Sequence, residues 1–504
     1  MSTSRKQKLG LFLGPLAALL LCLFADLQPG EPVVTLTAAV VLLMAIWWIT
    51  EAIPIPATAL LPVALFPLLG IMKGKTVAAL YFNNIIFLFI GGFIMALAME
   101  KWGLHRRIAL RVILLIGASP RRIILGFMVA TFFLSMWISN TATTMMMVPI
   151  ALAIIFKLKE MYEGPDVARF SVGLLIGIAY AASIGGTATL IGTPPNLSFA
   201  RIFQIYFPQA PEISFAAWFA FALPMALLFL IIAWLVLTHL SVSRNLGMGA
   251  TRQVFKDEQA RLGRISYEET VVLIGFCLMA LLWLFRRDIT IGSFVFPGWT
   301  GLMPEPGMID DGTIAIAIAA LLFVIPARIK EGGRLMNWKT ASKLNWGIVL
   351  LFGGGFALAS GFKESGLSLW IGDALAGLEQ FPTPLIVGAI CTSITFLTEL
   401  TSNTATTEII LPILGSLSVA MNVNPLLLMI PATLSASCAF MLPVATPPNA
   451  IVFGTGQIRM ADMIRCGIIL NLVGIVLITT YMFIVGMIAF DISLAEMPGW
   501  AITP

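Results

Sequence analysis

Apolar residues run along this chain in long blocks separated by short polar intervals, a pattern of helices that cross a bilayer rather than of elements that bury one face. Leu9 to Leu27, Val33 to Trp48, Phe215 to Leu237 and Cys466 to Ala489 are near-continuous apolar runs, several of them reaching the roughly 20 residues that a spanning helix needs. Roughly ten such segments can be drawn. Two further runs, Ile123 to Phe156 and Leu385 to Ala420, are interrupted near their middle by Ser, Asn and Thr. Each is too long for one span and too short for two. A hairpin that enters and leaves from one face fits them, and its non-helical tip is tolerated at membrane depth only where it is buried in protein or lines a cavity. The pattern therefore predicts an all-α polytopic membrane protein.

The hairpins belong to an internal repeat. Gly91-Gly92-Phe93 matches Gly354-Gly355-Phe356, Gly103-Leu104 matches Gly366-Leu367, and Ser139-Asn140-Thr141-Ala142-Thr143-Thr144 matches Ser402-Asn403-Thr404-Ala405-Thr406-Thr407, all at an offset of 263. Around Glu163-Gly164-Pro165 the first copy carries ten more residues, after which Gly192-Thr193-Pro194-Pro195-Asn196 meets Ala445-Thr446-Pro447-Pro448-Asn449 at an offset of 253.

Charge orients the two copies, because cytoplasmic loops keep Lys and Arg. Lys101 to Arg122 holds six Lys or Arg, and the aligned Glu364 to Leu385 holds none, so the copies point in opposite directions. Arg244 to Arg264 and Arg328 to Lys343 hold five each, whereas Pro208 to Glu212 and the tail after Phe490 hold none. This places the N-terminus in the cytoplasm and the C-terminus outside. Lys73, Lys75, Arg286, Arg287 and Lys363 then fall on the outer side, against the trend. An inverted repeat with interrupted helices near the midplane is a recurrent transporter design.

Composition narrows the alternatives. The 504 residues are 59% hydrophobic and 11% charged, against roughly 25% charged in an ordinary soluble domain. Ala25-Asp26-Leu27 makes a poor cleavage site after the first apolar run, which reads as a retained helix. A net charge of +5 is dispersed over short loops, not gathered into a face for nucleic acid. Five unpaired-looking cysteines and two histidines, His105 and His239, indicate neither a disulfide framework nor a metal centre. His105 reads with Arg106 and Arg107 as a surface segment.

Chemistry concentrates at the two hairpin tips. Ser and Asn are good N-cap residues, so each tip can start the hairpin's second helix and turn its free N–H groups and positive dipole end toward a cavity, an anion seat without Arg. Ser135 and Thr398 precede Ser139 and Ser402 by four residues, on one helix face. The tandem prolines Pro194-Pro195 and Pro447-Pro448 are expected to stop the preceding helices and leave carbonyl oxygens free. With neighbouring hydroxyl and amide oxygens these suit sodium, and two copies predict at least two cation sites. A single Ser-Asn-Thr in a membrane helix would serve as interhelical glue; duplication of both motifs in register argues for function. Glu51 reads as an interfacial helix end. Glu399 and Glu408 have Met136 and Met145 as counterparts and so stand outside a symmetric site.

At these motifs the sequence resembles the divalent anion/sodium symporter family, the INDY-like carriers that include bacterial sodium-dependent dicarboxylate transporters. The resemblance rests on the paired Ser-Asn-Thr motifs at Ser139 and Ser402, the paired Thr-Pro-Pro-Asn segments at Thr193 and Thr446, and the glycine-rich Leu88 to Leu104. It implies about 11 transmembrane helices plus two re-entrant hairpins, a homodimer in the inner or plasma membrane, and an elevator-type motion. Scaffold would occupy 1–118 and 267–382, transport domain 119–240 and 383–504, and a cytoplasmic linker 241–266. The first sodium site would use Ser135, Ser139, Asn140 and Gly192, and the second Thr398, Ser402, Asn403 and Ala445. Substrate carboxylates would meet Asn140, Thr141, Asn403, Thr404, Thr193, Thr446 and Pro447. The implied activity is symport of sodium with C4-dicarboxylates such as succinate, fumarate or malate into the cell, without an organic cofactor. Sodium-independent di- or tricarboxylate exchange of the citrate/succinate type and sulfate transport are the alternatives within the family. A membrane-embedded hydrolase or transferase would need a nucleophile with its base or a metal set, and neither a Gly-x-Ser-x-Gly elbow nor a His-Glu-x-x-His helix is present, so the chain does not read as an enzyme.

Overall fold

The computed structural model describes residues 5–117, 119–161, 164–242, 258–291, 294–329, 333–494 and 496–502. Most of the expected 241–266 linker, with Arg244, Arg252 and Lys256, lies outside the described residues, as do Glu163 and Lys330.

Nine helices among the described residues are long and apolar enough to cross a membrane. They run from Arg5–Phe24, at the periphery and 11% buried, to Pro165–Thr187, at the centre and 83% buried. A helix with lipid on most sides needs apolar residues all round, whereas the central one can carry the small residues Gly173, Gly177, Gly185 and Gly186 that admit neighbours. A two-stranded antiparallel ribbon, Ile289–Ile291 with Phe294–Phe296, departs from the all-helical expectation.

The repeat is visible element by element. The inbound limbs of the hairpins, Pro120–Ser135 and Thr383–Thr398, have 16 residues each and begin and end at aligned positions. At 1.5 Å per residue each extends about 24 Å, short of the roughly 30 Å hydrocarbon core, so neither limb crosses it. The return limbs, Asn140–Met161 and Asn403–Ala420, also start at aligned residues. The matched glycines do matched work: a Cβ on Gly91 would lie 2.5 Å from the Ala315 carbonyl carbon, and one on Gly354 would lie 2.6 Å from the Ala59 oxygen. Each marks a close helix crossing that admits no side chain.

The prolines act differently from expectation. The helix before the first break ends at Thr187, well short of Pro194, and the one before the second ends at Ser435, well short of Pro447. Both tandem prolines instead open the next helices, Pro194–Tyr206 and Pro447–Phe453. The first turn of a helix needs no N–H donor, so proline is favoured there. The breaks are held open by side chains, described below.

Three of the basic residues that ran against the charge trend, Arg286, Arg287 and Lys363, are engaged. Arg286 pairs with Glu212 at 2.7 Å and Asp311 at 2.6 Å, and Arg287 with the other Glu212 oxygen. Lys363 Nζ reaches the Ile205 and Tyr206 oxygens at 3.5 and 3.4 Å, the carboxyl end of helix Pro194–Tyr206 where a cation is favourable. Arg107 is not a surface residue: it is buried, pairs with Glu269 at 2.8 Å, and donates to the Gly263 oxygen at 2.9 Å. Amphipathic helix Leu104–Ile116 turns Arg107 inward while Arg106 stays exposed.

Candidate functional site

In the first copy the inbound limb ends at Ser135 and the return limb starts at Asn140, with Ser139 Oγ accepting from Ala142 N–H at 3.2 Å. Ser139 thus caps the return limb, as its sequence position suggested. Ser135 Oγ, fully buried, touches two acceptors at once, Asn140 Oδ1 and the Ala182 carbonyl oxygen at 2.8 Å. One hydroxyl proton serves three oxygens there. Gly192 joins the same place: a Cβ added to Gly186 would fall 2.8 Å from Asn140 Oδ1 and 3.1 Å from the Gly192 oxygen. Ser135, Asn140 and Gly192 therefore converge around Gly186, where hydroxyl, amide and carbonyl oxygens meet with the Asn140 amide nitrogen 3.0 Å from the same point.

The second copy repeats the arrangement with threonine. Thr398 Oγ1 lies 2.6 Å from Asn403 Oδ1 and 3.0 Å from the Ala436 oxygen, again one proton among three oxygens. Ser402 caps the return limb through Ala405 N–H at 3.5 Å. Ala445, aligned with Gly192, closes the corresponding turn, its N–H on the Leu442 oxygen at 3.2 Å as the Gly192 N–H is on the Thr189 oxygen at 3.4 Å.

Two asparagines of the Thr-Pro-Pro-Asn segments, outside the expected site residues, organise both breaks. Asn196 Nδ2 donates to the Gly186, Thr187 and Thr189 oxygens at 3.3, 3.2 and 2.8 Å. Asn449 Nδ2 donates to the Ala439 and Leu442 oxygens at 3.0 Å each, positions aligned with Gly186 and Thr189. The carbonyls exposed by each break are thus gripped rather than left open, because a buried unpaired carbonyl is expensive. Both asparagines are wholly buried. Their repeat at the 253 offset was the available signal.

Glu399 shows where the copies differ. Its carboxylate accepts from Phe440 and Met441 N–H at 2.7 and 2.8 Å, Leu442 N–H at 3.0 Å, and Asn471 Nδ2 at 2.8 Å. In the first copy the aligned residue is Met136, whose carbonyl oxygen accepts from Thr189 Oγ1 at 2.6 Å. One break is tied by a side-chain carboxylate, the other by a side-chain hydroxyl on the main chain. Reading symmetry alone, one passes over such a residue. Glu408 is also buried, bonded by Ser198 Oγ and packed so closely on Gly355 that a Cβ there would overlap its carboxyl.

The copies interlock. Helix Pro194–Tyr206, after the first break, packs on the return limb of the second hairpin, and Pro447–Phe453, after the second break, packs on the return limb of the first. Tyr180 adds a direct tie, donating to the Phe440 oxygen at 2.6 Å. Of the expected substrate residues, Asn140, Thr141 and Asn403 are half-buried at the tips, Thr193, Thr404 and Thr446 are buried, and Pro447 is exposed. Thr446 Oγ1 accepts from Asn449 N–H at 3.3 Å, whereas Thr193 holds the matching position without a side-chain cap bond. Since the first N–H groups of a helix lack intrahelical acceptors, each return limb presents an anion-favouring end beside its oxygen cluster.

Residues 11–490 match the family model described as the sodium:sulfate symporter transmembrane region. The chain is 44% identical over 495 residues to the sodium-dependent dicarboxylate transporter SdcS of Staphylococcus saprophyticus, covering 97% of this chain and 93% of that protein. It is 46% identical over 501 residues to SdcS of Staphylococcus aureus, covering 98% and 94%. In overall fold it is similar to the YdaH transporter of Alcanivorax borkumensis, with a TM-score of 0.56 at 14% identity over 95% of this chain and 98% of that one. A TM-score of 0.58 at 15% identity relates it to MtrF of Neisseria gonorrhoeae over 94% and 98%.

Proposed function

The chain belongs to the sodium:sulfate symporter family, and from that premise we propose that it is a secondary active carrier that brings C4-dicarboxylates such as succinate, fumarate and malate into the cell together with sodium. The observation that carries this reading is the pair of oxygen clusters, Ser135 with Asn140 and Thr398 with Asn403, one at each hairpin tip. The sodium-dependent dicarboxylate transporters among its relatives support the choice of ion and anion.

Sodium enters first, because each cluster gathers hydroxyl, amide and carbonyl oxygens and a hard cation is what such a set accepts. Ser135, Ser139, Asn140 and Gly192 hold one ion; Thr398, Ser402, Asn403 and Ala445 hold the other. With both in place, the positive ends of the return limbs and the Asn140, Thr141, Asn403 and Thr404 side chains form a seat for two carboxylates, bordered by Thr193, Thr446 and Pro447. Two sodium ions neutralise one dianion, which lowers the barrier to carrying it across the bilayer. Transport domain 119–240 with 383–504 moves against scaffold 1–118 with 267–382 in a homodimer of eleven-span protomers, N-terminus cytoplasmic and C-terminus outside. The short inbound limbs and the interlocked breaks support treating the tips as one moving body.

The test is radiolabelled succinate uptake into proteoliposomes, with inward sodium or potassium gradients and with fumarate, malate, citrate, glutarate and sulfate as competitors. Uptake driven by sodium and inhibited by the C4 anions is expected. Succinate uptake indifferent to the sodium gradient would overturn the coupling, and inhibition by sulfate alone would overturn the substrate.

A further inference from the structure

We propose that the cleft between the root of the first hairpin and the end of helix Phe215–Ser241 binds the headgroup of an anionic phospholipid. The cleft has a volume of about 420 Å³ and is lined by Arg121, Leu235, Val236, Thr238 and His239. It lies at the arginine-rich end of the first copy, where the inbound limb Pro120–Ser135 begins. Arg121 and His239 are both exposed, and among the described residues neither enters an ion pair. Arg122, by contrast, folds its side chain against Gly117, where a Cβ would lie 3.2 Å from its Cδ. Thr238 is engaged with the Trp234 oxygen at 2.7 Å, so the cationic character of the cleft comes from Arg121, with His239 beside it.

The walls of the cleft are tied together. Trp234 Nε1 donates to the Arg121 carbonyl oxygen at 3.0 Å, joining the two helices at one level. An indole with its N–H on a polar group and its ring among apolar residues marks a headgroup boundary. From that level a column of exposed apolar side chains descends helix Phe215–Ser241, namely Leu235, Ile231, Leu228 and Leu227. Leu235, Ile231 and Leu227 are four residues apart and share a face, which extends about 12 Å at 1.5 Å per residue. That is most of one leaflet, half of the roughly 30 Å core. A guanidinium above a column of this length matches an anionic headgroup with an acyl chain below it. A free phosphate ion would use only the upper part, and a neutral phospholipid only the lower.

The cleft stands apart from Ser135, Asn140 and their second-copy counterparts, so its occupant would brace the root of the hairpin and not its tip. Native mass spectrometry of the full chain in neutral detergent tests the idea, with phosphatidylglycerol and phosphatidylcholine of identical acyl chains as probes. Juxtamembrane cations favour anionic lipid by about fivefold per charge, so retention of phosphatidylglycerol at least fivefold above phosphatidylcholine is expected. The preference should vanish in Arg121→Glu and fall in His239→Ala, while inorganic phosphate in excess should not displace the lipid. Equal retention of the two lipids, an unchanged preference in Arg121→Glu, or full displacement by inorganic phosphate would each overturn the proposal. Thermal unfolding of each variant in detergent, unchanged from the parent, shows that a lost preference is local.

Discussion

Thr398→Val isolates the oxygen cluster of the second copy, because valine keeps the shape of threonine and removes only the hydroxyl. Thr398 is fully buried, 2.6 Å from Asn403 Oδ1 and 3.0 Å from the Ala436 oxygen. Losing those contacts lowers folding stability by about 1–2 kcal/mol, the net worth of one or two neutral hydrogen bonds. The loss to a bound cation is larger: an oxygen facing a charge contributes about 1.5–3 kcal/mol, and each 1.4 kcal/mol or so is a factor of ten in affinity. Half-saturating sodium for succinate uptake should therefore rise about ten- to hundredfold, with maximal rate approached again at high sodium. Thr398→Ser supplies the control, since the first copy uses serine at the aligned Ser135. It keeps the oxygen, loses one methyl, and should shift the sodium curve by less than about threefold while lowering stability by about 1 kcal/mol. The assay is initial uptake into proteoliposomes over a range of external sodium at fixed succinate. If Thr398→Val leaves half-saturating sodium unchanged while Thr398→Ser does the same, the hydroxyl is no ligand and the cluster is only a packing device.

Three other perturbations probe the frame around the site. Gly354→Ala puts a methyl 2.6 Å from the Ala59 backbone oxygen, and overpacking of that kind lowers stability by about 1–3 kcal/mol; a melting temperature equal to the parent's would contradict the close crossing. Glu399→Ala strips the acceptor from three backbone N–H groups and from Asn471, at about 1–3 kcal/mol for each group left buried and unpaired. Circular dichroism melts should show a drop of several degrees, and Glu399→Gln should recover part of it. Asp311→Ala leaves Arg286 buried without the carboxylate that also accepts Phe215 N–H at 2.9 Å, a change expected to cost about 3–5 kcal/mol. Expression of folded protein, read by size-exclusion profile, should fall sharply, and a normal profile would mean that Glu212 alone satisfies Arg286.

Much of this molecule is written locally. Apolar runs, the 263 offset and the Ser-Asn-Thr strings determined that the chain spans a membrane, that it holds two matched hairpins, and that each return limb starts at Asn140 or Asn403. Such features follow from side chains and their near neighbours: a spanning helix from continuous hydrophobicity, a cap from Ser at the first turn. The structure alone decided what holds the breaks. Nothing near Pro194 says that Asn196 will turn back to the Gly186 and Thr189 oxygens, and nothing near Glu399 says that its partners are Phe440, Met441 and Leu442, some forty residues on. The prolines misled for the same reason, since whether a proline ends one helix or opens the next depends on what satisfies the intervening carbonyls. Arg107 went inward because Glu269, distant in sequence, meets it there. A broken helix leaves polar backbone groups in a place without water, and only the completed tertiary packing determines which distant amide, hydroxyl or carboxylate reaches them.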